Sequence, residues 1–130
     1  MKSFNQLVFV ILFITFSCSI DSDILSNCSY EDPVKDLGWL ASDVQEYTGS
    51  GMADYLYIYR ATYKLKSVFV MSDCCPSCFS SSPVYNCSGE LLGFVGPGKE
   101  GIDPDKLRNK EVIWKTDSCA CNFNAIKDLN

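Results

Sequence analysis

The chain has 130 residues, 11 Lys and Arg against 16 Asp and Glu, a net charge of −5 and no histidine. An acidic chain whose basic residues form no run in sequence repels phosphate backbones, so nucleic acid is not an expected partner. The missing histidine removes the usual general base at neutral pH, Ser-His and Cys-His nucleophile pairs, and His-ligated zinc. No acidic pair stands out to replace them, so no catalytic residue, cofactor or metal is expected.

The chain opens MKSFNQLVFVILFITFSCSIDSD. Lys2 supplies a positive start, and Leu7 to Phe16 is an apolar run broken only by Thr15. The run is short of the ~20 residues that a permanent span needs, so residues 1–17 read as an export signal. Thr15-Phe16-Ser17-Cys18 resembles a lipobox, in which the cysteine is lipidated and becomes the first residue. Ser17 fits the small position, while Thr15 stands where Leu is usual. The expectation is a lipid on Cys18 that anchors the chain to the cell envelope, at the outer membrane. The alternative is an ordinary secretory signal, with Cys18 discarded and a soluble secreted product. Residues 18–31 then form a polar tether that carries Cys28.

Residues 32–47 read as a helix. Asp32 suits the N-cap and Pro33 the first helical position, where its missing N–H costs nothing. Val34, Leu37, Leu40, Val44 and Tyr47 recur at three-to-four spacing. Thr48-Gly49-Ser50-Gly51 ends the helix. The period then changes. Residues 54–63, 66–73, 82–87, 91–96 and 111–117 read as strands joined by short turns. Gly93 suggests a bulge or a close backbone approach. Residues 97–110 read as a loop with one helical turn from Asp105. The expected fold class is α+β: one N-terminal helix on a mainly antiparallel sheet of four to five strands, the other face open to water, stapled by disulfides. It forms one domain, residues 32–123, with a tail at 124–130.

Of the eight cysteines, the seven besides Cys18 remain to be placed. Cys75-Pro76-Ser77-Cys78 has the spacing of thiol–disulfide exchange enzymes, which put the first cysteine at a helix N-terminus. Here Phe79, three serines and Pro83 follow, and these do not propagate a helix. Four thiolates from Cys75, Cys78, Cys119 and Cys121 would make a zinc site, but the second pair is spaced too tightly for the usual pattern. The favoured reading is structural: Cys28, Cys74, Cys75, Cys78, Cys87, Cys119 and Cys121 are disulfide candidates in an oxidising compartment. Cys78, or failing that Cys75, is expected to bridge Cys87. At least one of Cys119 and Cys121 is expected to return to the 74–78 cluster. Cys28 is expected to be the least constrained, or to take whichever cluster cysteine remains.

The order of "DLGWLASDV", "IYRATYKLKSVFV" and "CCPSC…VYNCSGELLGFVG" resembles a family of small exported bacterial domains of unknown function, often lipoproteins. Its members carry a D-L-P-W-L helix start, a Tyr-rich strand, a spaced cysteine pair and a V-Y-D-C-x-G turn. The likeness covers about residues 30–96. Gly38 replaces the common Pro, Gly93 stands where some members have a cysteine, and Cys119 and Cys121 lie beyond the family's usual end. The resemblance implies fold and location, and no activity. The functional expectation is a non-enzymatic envelope domain with a structural role or an envelope or extracellular protein as partner. The alternatives are a small inhibitor or ligand-binding module and, more distantly, a thiol–disulfide exchange protein using Cys75 and Cys78. The sequons at Asn27 and Asn86 carry no meaning under a bacterial reading. "GPGKEG" (96–101) lacks the pattern of a phosphate loop and reads as a turn.

Overall fold

A computed structural model describes residues 28–78, 80–99 and 101–124. Residues 1–17, read as an export signal, Cys18 and Asn27 lie outside the described residues. Two short helices, α1 (Pro33–Asp36) and α2 (Gly38–Thr48), precede six strands. These are β1 (Leu56–Tyr63), β2 (Lys66–Asp73), β3 (Ser82–Tyr85), β4 (Leu91–Val95), β5 (Gly101–Ile102) and β6 (Arg108–Lys115). The sheet order is β5-β4-β3-β2-β1-β6; β4 and β5 pair in parallel and all other neighbours are antiparallel. This is the expected α+β architecture, with one strand more than the upper expectation. The added strand is β5, two residues inside the segment read as a loop.

The single expected helix is broken at Leu37. Its backbone is extended (φ −99°, ψ 105°), and its side chain turns into the core at 8% exposure. The apolar period continues across the break, which is why the sequence reads as one helix. Asp32 does not cap with its side chain; its carboxylate pairs with Lys35 at 2.5 Å. The expected bulge at Gly93 is present: β3–β4 pairing shifts register between Val84↔Gly93 and Tyr85↔Leu91, and Gly93 has φ +152°.

Strand alternation splits the apolar side chains into two cores. Ile58, Phe69 and Met71 face the helices and pack with Leu37, Leu40 and the Cys28–Cys87 pair. Tyr57, Tyr59, Ala61, Val68, Val70 and Val84 face the other way. The expectation of a wet second face fails, because that face is roofed by Ile102, Leu107, Cys121 and Phe123. Chain geometry requires such a roof. β5 and β6 are opposite edges, yet only five residues separate Ile102 from Arg108. In a flat sheet the register would place those two residues about 29 Å apart, from five strand spacings and five residue rises. Six extended steps reach at most about 21 Å, and the 3-10 turn Pro104–Lys106 shortens the reach further. The sheet must therefore curl around the Tyr57–Tyr59 side, and the connector that crosses it buries Leu107.

Candidate functional site: the cysteine cluster

The chemistry-bearing residues gather where β2 ends. Asp73 is the last residue of the strand and Cys74 and Cys75 follow it. On an extended backbone neighbouring side chains diverge, and these two take different partners. Cys74 bridges Cys121 (Cα–Cα 5.6 Å) and Cys75 bridges Cys78 (Cα–Cα 5.3 Å). The tail thus returns to the cluster, through Cys121. It is held further by the Ala120 N–H, which donates to the Asp54 carbonyl at 2.7 Å, and by a hydrogen bond from the Ser118 hydroxyl to the Asp54 carboxylate.

The expected bridge from Cys78 or Cys75 to Cys87 is not formed. Cys87 pairs with Cys28 (Cα–Cα 5.8 Å). The reason is register. Antiparallel pairing sets Tyr85 against Phe69, which carries Cys87 to the level of Ser67, at the start of β2. Cys75 lies beyond the other end of that strand, which is itself about 20 Å away at about 3.4 Å per residue, against a reach of about 4.4–6.8 Å between bonded Cα atoms. Cys28 is correspondingly not the least constrained thiol. It is 1% exposed and bonded, and with Tyr30, also assigned to the tether, it packs into the helix-face core. Among the described residues Cys119 is the free thiol.

The geometry around Cys75–Cys78 differs from that of an exchange enzyme. The pair closes a turn at Pro76-Ser77, and no helix follows. The Asp73 carboxylate accepts the Cys75 N–H at 3.1 Å and a bond from the Ser80 hydroxyl. A fixed anion beside the sulfurs disfavours a thiolate, the opposite of the electropositive setting that activates cysteine. Asp73, Cys75 and Cys78 present three ligand-type atoms within 4.8 Å of one another, but two of these are spent in one disulfide. Nor do Cys75, Cys78, Cys119 and Cys121 form one four-thiolate set, since Cys121 is bonded to Cys74.

A second constellation at the opposite end joins two motifs that the sequence analysis treated separately. The Trp39 indole N–H donates to the Cys87 carbonyl at 3.0 Å, and its ring packs beside Phe69 and Tyr85. Gly89 lies under that ring with φ +79°, and a Cβ there would meet the indole at 3.0 Å. Asn86 closes the same turn. Its side-chain Oδ1 accepts the N–H groups of Ser88 and Glu90, and its side-chain Nδ2 donates to the Glu90 carboxylate at 2.7 Å. The sequon at Asn86 is therefore an Asx-type turn with an engaged amide. No sequence signal pairs Trp39 with Gly89; only the folded register does. Comparison of the chain with protein-family models, with curated proteins and with solved structures finds no match in any of the three.

Proposed function

We propose that the protein is an exported cell-envelope domain, anchored by lipid at Cys18, with a structural or protein-interaction role and no catalytic activity of its own. The observation that carries this reading is the cysteine pairing: three bridges account for six of the seven cysteines among the described residues. Such density belongs to domains that fold in an oxidising space outside the cytoplasm. The apolar leader and the lipobox-like Ser17-Cys18 supply the route there. The resemblance to small exported lipoprotein domains agrees with it.

The reading is tested by the mass of the N-terminal peptide from protein isolated out of the envelope. The expected species begins at Cys18 and carries acyl chains. A first residue beyond Cys18, or a Cys18 without lipid, overturns the anchor and leaves the secreted alternative.

Thiol exchange is a second reading with one observation in its favour: Cys75 and Cys78 are bonded to each other, and Cys78 is exposed. Asp73 and the lack of a following helix weigh against it. Mild reduction followed by alkylation and peptide mapping separates the two. A structural cluster resists until denatured, whereas an exchange protein labels at Cys75 and Cys78 while still folded.

A further inference from the structure

The β1–β2 hairpin has an unusual tip. Tyr63 pairs with Lys66, leaving Lys64 and Leu65 as a two-residue turn with φ +49° and +65°. Turns of this kind require the left-handed region at both positions and favour Asn-Gly. Leu at such a position is strained, and this Leu65 is 91% exposed, the most exposed large hydrophobic side chain of the described chain. A leucine that the turn disfavours and the core does not use points to something outside the fold.

The surroundings of the tip say what. β6 begins beside the end of β1, with Arg108 opposite Thr62. That register brings Arg108 and Lys110 to the same end of the sheet as Lys64 and Lys66. These cations are scattered in sequence and gathered only by the fold. The two ion pairs of the described residues, Lys35–Asp32 and Arg60–Glu111, use none of them. The acids at this end are Glu90, engaged by Asn86, and Glu111, which follows Lys110 and pairs with Arg60. Asp54, Asp73 and Asp117 lie at the opposite end, eight strand residues away. That is about 24 Å, some three times the screening length of about 8 Å at physiological salt. Those three acids are therefore screened from the tip.

The end is also where the chain arrives from its N-terminal side. Cys28 is bonded to Cys87 at the level of Ser67, and Cys28, Ser29, Thr62, Ser67 and Asn109 surround one shallow depression. The tip stands about two to three residues, roughly 8 Å, beyond that level. Cys18 is ten peptide steps before Cys28, a reach of at most about 35 Å.

We infer that this end is a bilayer contact: Leu65 inserts at the membrane surface while Lys64, Lys66, Arg108 and Lys110 bind anionic lipid headgroups. An apolar tip flanked by cations suits that surface better than a protein groove, because the leucine is single and the charged residues beside it in the turn, Lys64 and Lys66, are both basic, with Arg108 on the adjoining strand. The inference rests on the anchored reading for orientation, since a lipid on Cys18 holds this end toward the membrane.

The test uses the full exported protein placed in vesicles of phosphatidylcholine with or without phosphatidylglycerol. A Leu65→Trp substitution reports depth through quenching by brominated acyl chains, read as the difference from the parent with Trp39 and Trp114. Quenching is expected in phosphatidylglycerol vesicles and at high salt should vanish. Lys64→Glu with Lys66→Glu should cut the inserted population at least about 25-fold, about fivefold per cation. Leu65→Asn should raise the Tm, because Asn tolerates the left-handed turn. Absent quenching, quenching indifferent to lipid charge or to the lysines, cross-linking of the tip to a protein instead of lipid, or a lowered Tm in Leu65→Asn each overturns the inference. The mass of the Cys18 peptide is read separately. If Cys18 carries no lipid but the tip is still quenched by added vesicles, the anchor falls and the contact stands.

Discussion

The two faces of the sheet are covered by different materials. On one, α2 lays Leu40, Trp39, Val44 and Tyr47 across Ile58, Phe69 and Met71. On the other, an irregular connector and a short tail supply Ile102, Leu107, Cys121 and Phe123 over two tyrosines and three valines. A helix satisfies its own backbone and brings a broad apolar stripe, so it holds through packing. A tail of a few residues buries little and loses much chain entropy on ordering, so it needs a covalent tie and takes one at Cys74. Each face carries one long-range bridge, of sequence separation 59 on the helix side and 47 on the tail side. Chain entropy alone makes their contributions nearly equal, about 4 kcal/mol each. Any difference between them must come from what each cover does without its bridge.

The largest effect is expected from removing the helix-side bridge. Cys28 and Cys87 are 1% and 6% exposed, so replacing both with Ala loses the tie and also leaves unfilled space in the core. A loss of about 4–5 kcal/mol is expected from the two together, measured by denaturant unfolding under oxidising conditions. An equal or smaller loss than for the tail-side pair would break the comparison.

Replacing Cys74 and Cys121 with Ala comes next, at about 3–4 kcal/mol. Here the signature should be local. Phe123, whose ring lies 5.3 Å from Tyr57, should leave the sheet. Amides of residues 119–123 should then exchange quickly while those of β2 stay protected. Uniform loss of protection would show that the tail is as integral as the helix.

Gly89→Ala probes the helix side without touching a bridge. The new methyl would sit 3.0 Å from the Trp39 indole on a backbone of φ +79°. The expected cost is about 1–3 kcal/mol, from strain and displacement of the ring. The Trp39 fluorescence should shift as its bond to Cys87 is lost. Removal of Cys75–Cys78 should cost less, about 1–2 kcal/mol, because it closes so short a loop.

The smallest effect is a pH dependence confined to the helix side. Burial, with nearby Tyr85, Asp43 and Glu46, pushes the Tyr47 phenol above its ordinary value, and its hydroxyl lies 3.3 Å from the Met71 sulfur. A raised folded value favours the neutral form. The associated stability is present below the unfolded value of about 10 and is lost as pH rises through the folded value. Unfolding midpoints of the parent should therefore fall more steeply above pH 10 than those of Tyr47→Phe. Parallel curves would mean that Tyr47 is not desolvated by the helix-side core.

How much of this is legible in the chain varies with the range of the interaction. The helix stripe, the alternation of residues 54–63, the hairpin at Lys64 and Leu65 and the bulge at Gly93 are local, and each rests on residues within a few positions of one another. The break at Leu37 is missed because an apolar period says which face is buried and not whether the backbone turns. The tail's return to the cluster follows from economy of order, but its partner does not.

Composition and local pattern by themselves determined the α+β class, the absence of histidine chemistry and the set of cysteines available for pairing. Tertiary structure decided which cysteines meet. Strand register places Cys87 level with Ser67, where it meets Cys28, and leaves Cys75 and Cys78 to close on each other. It also decided that both faces are dry, because a five-residue connector between opposite edges forces the sheet to curl. And it decided that Lys64, Lys66, Arg108 and Lys110 share one end, where Glu111 is paired with Arg60 and Glu90 is engaged by Asn86, so that a chain acidic in sum presents a basic tip. Sequence spacing sets contacts along a strand; contacts across strands depend on pairing register, and a shift of one residue there exchanges the faces.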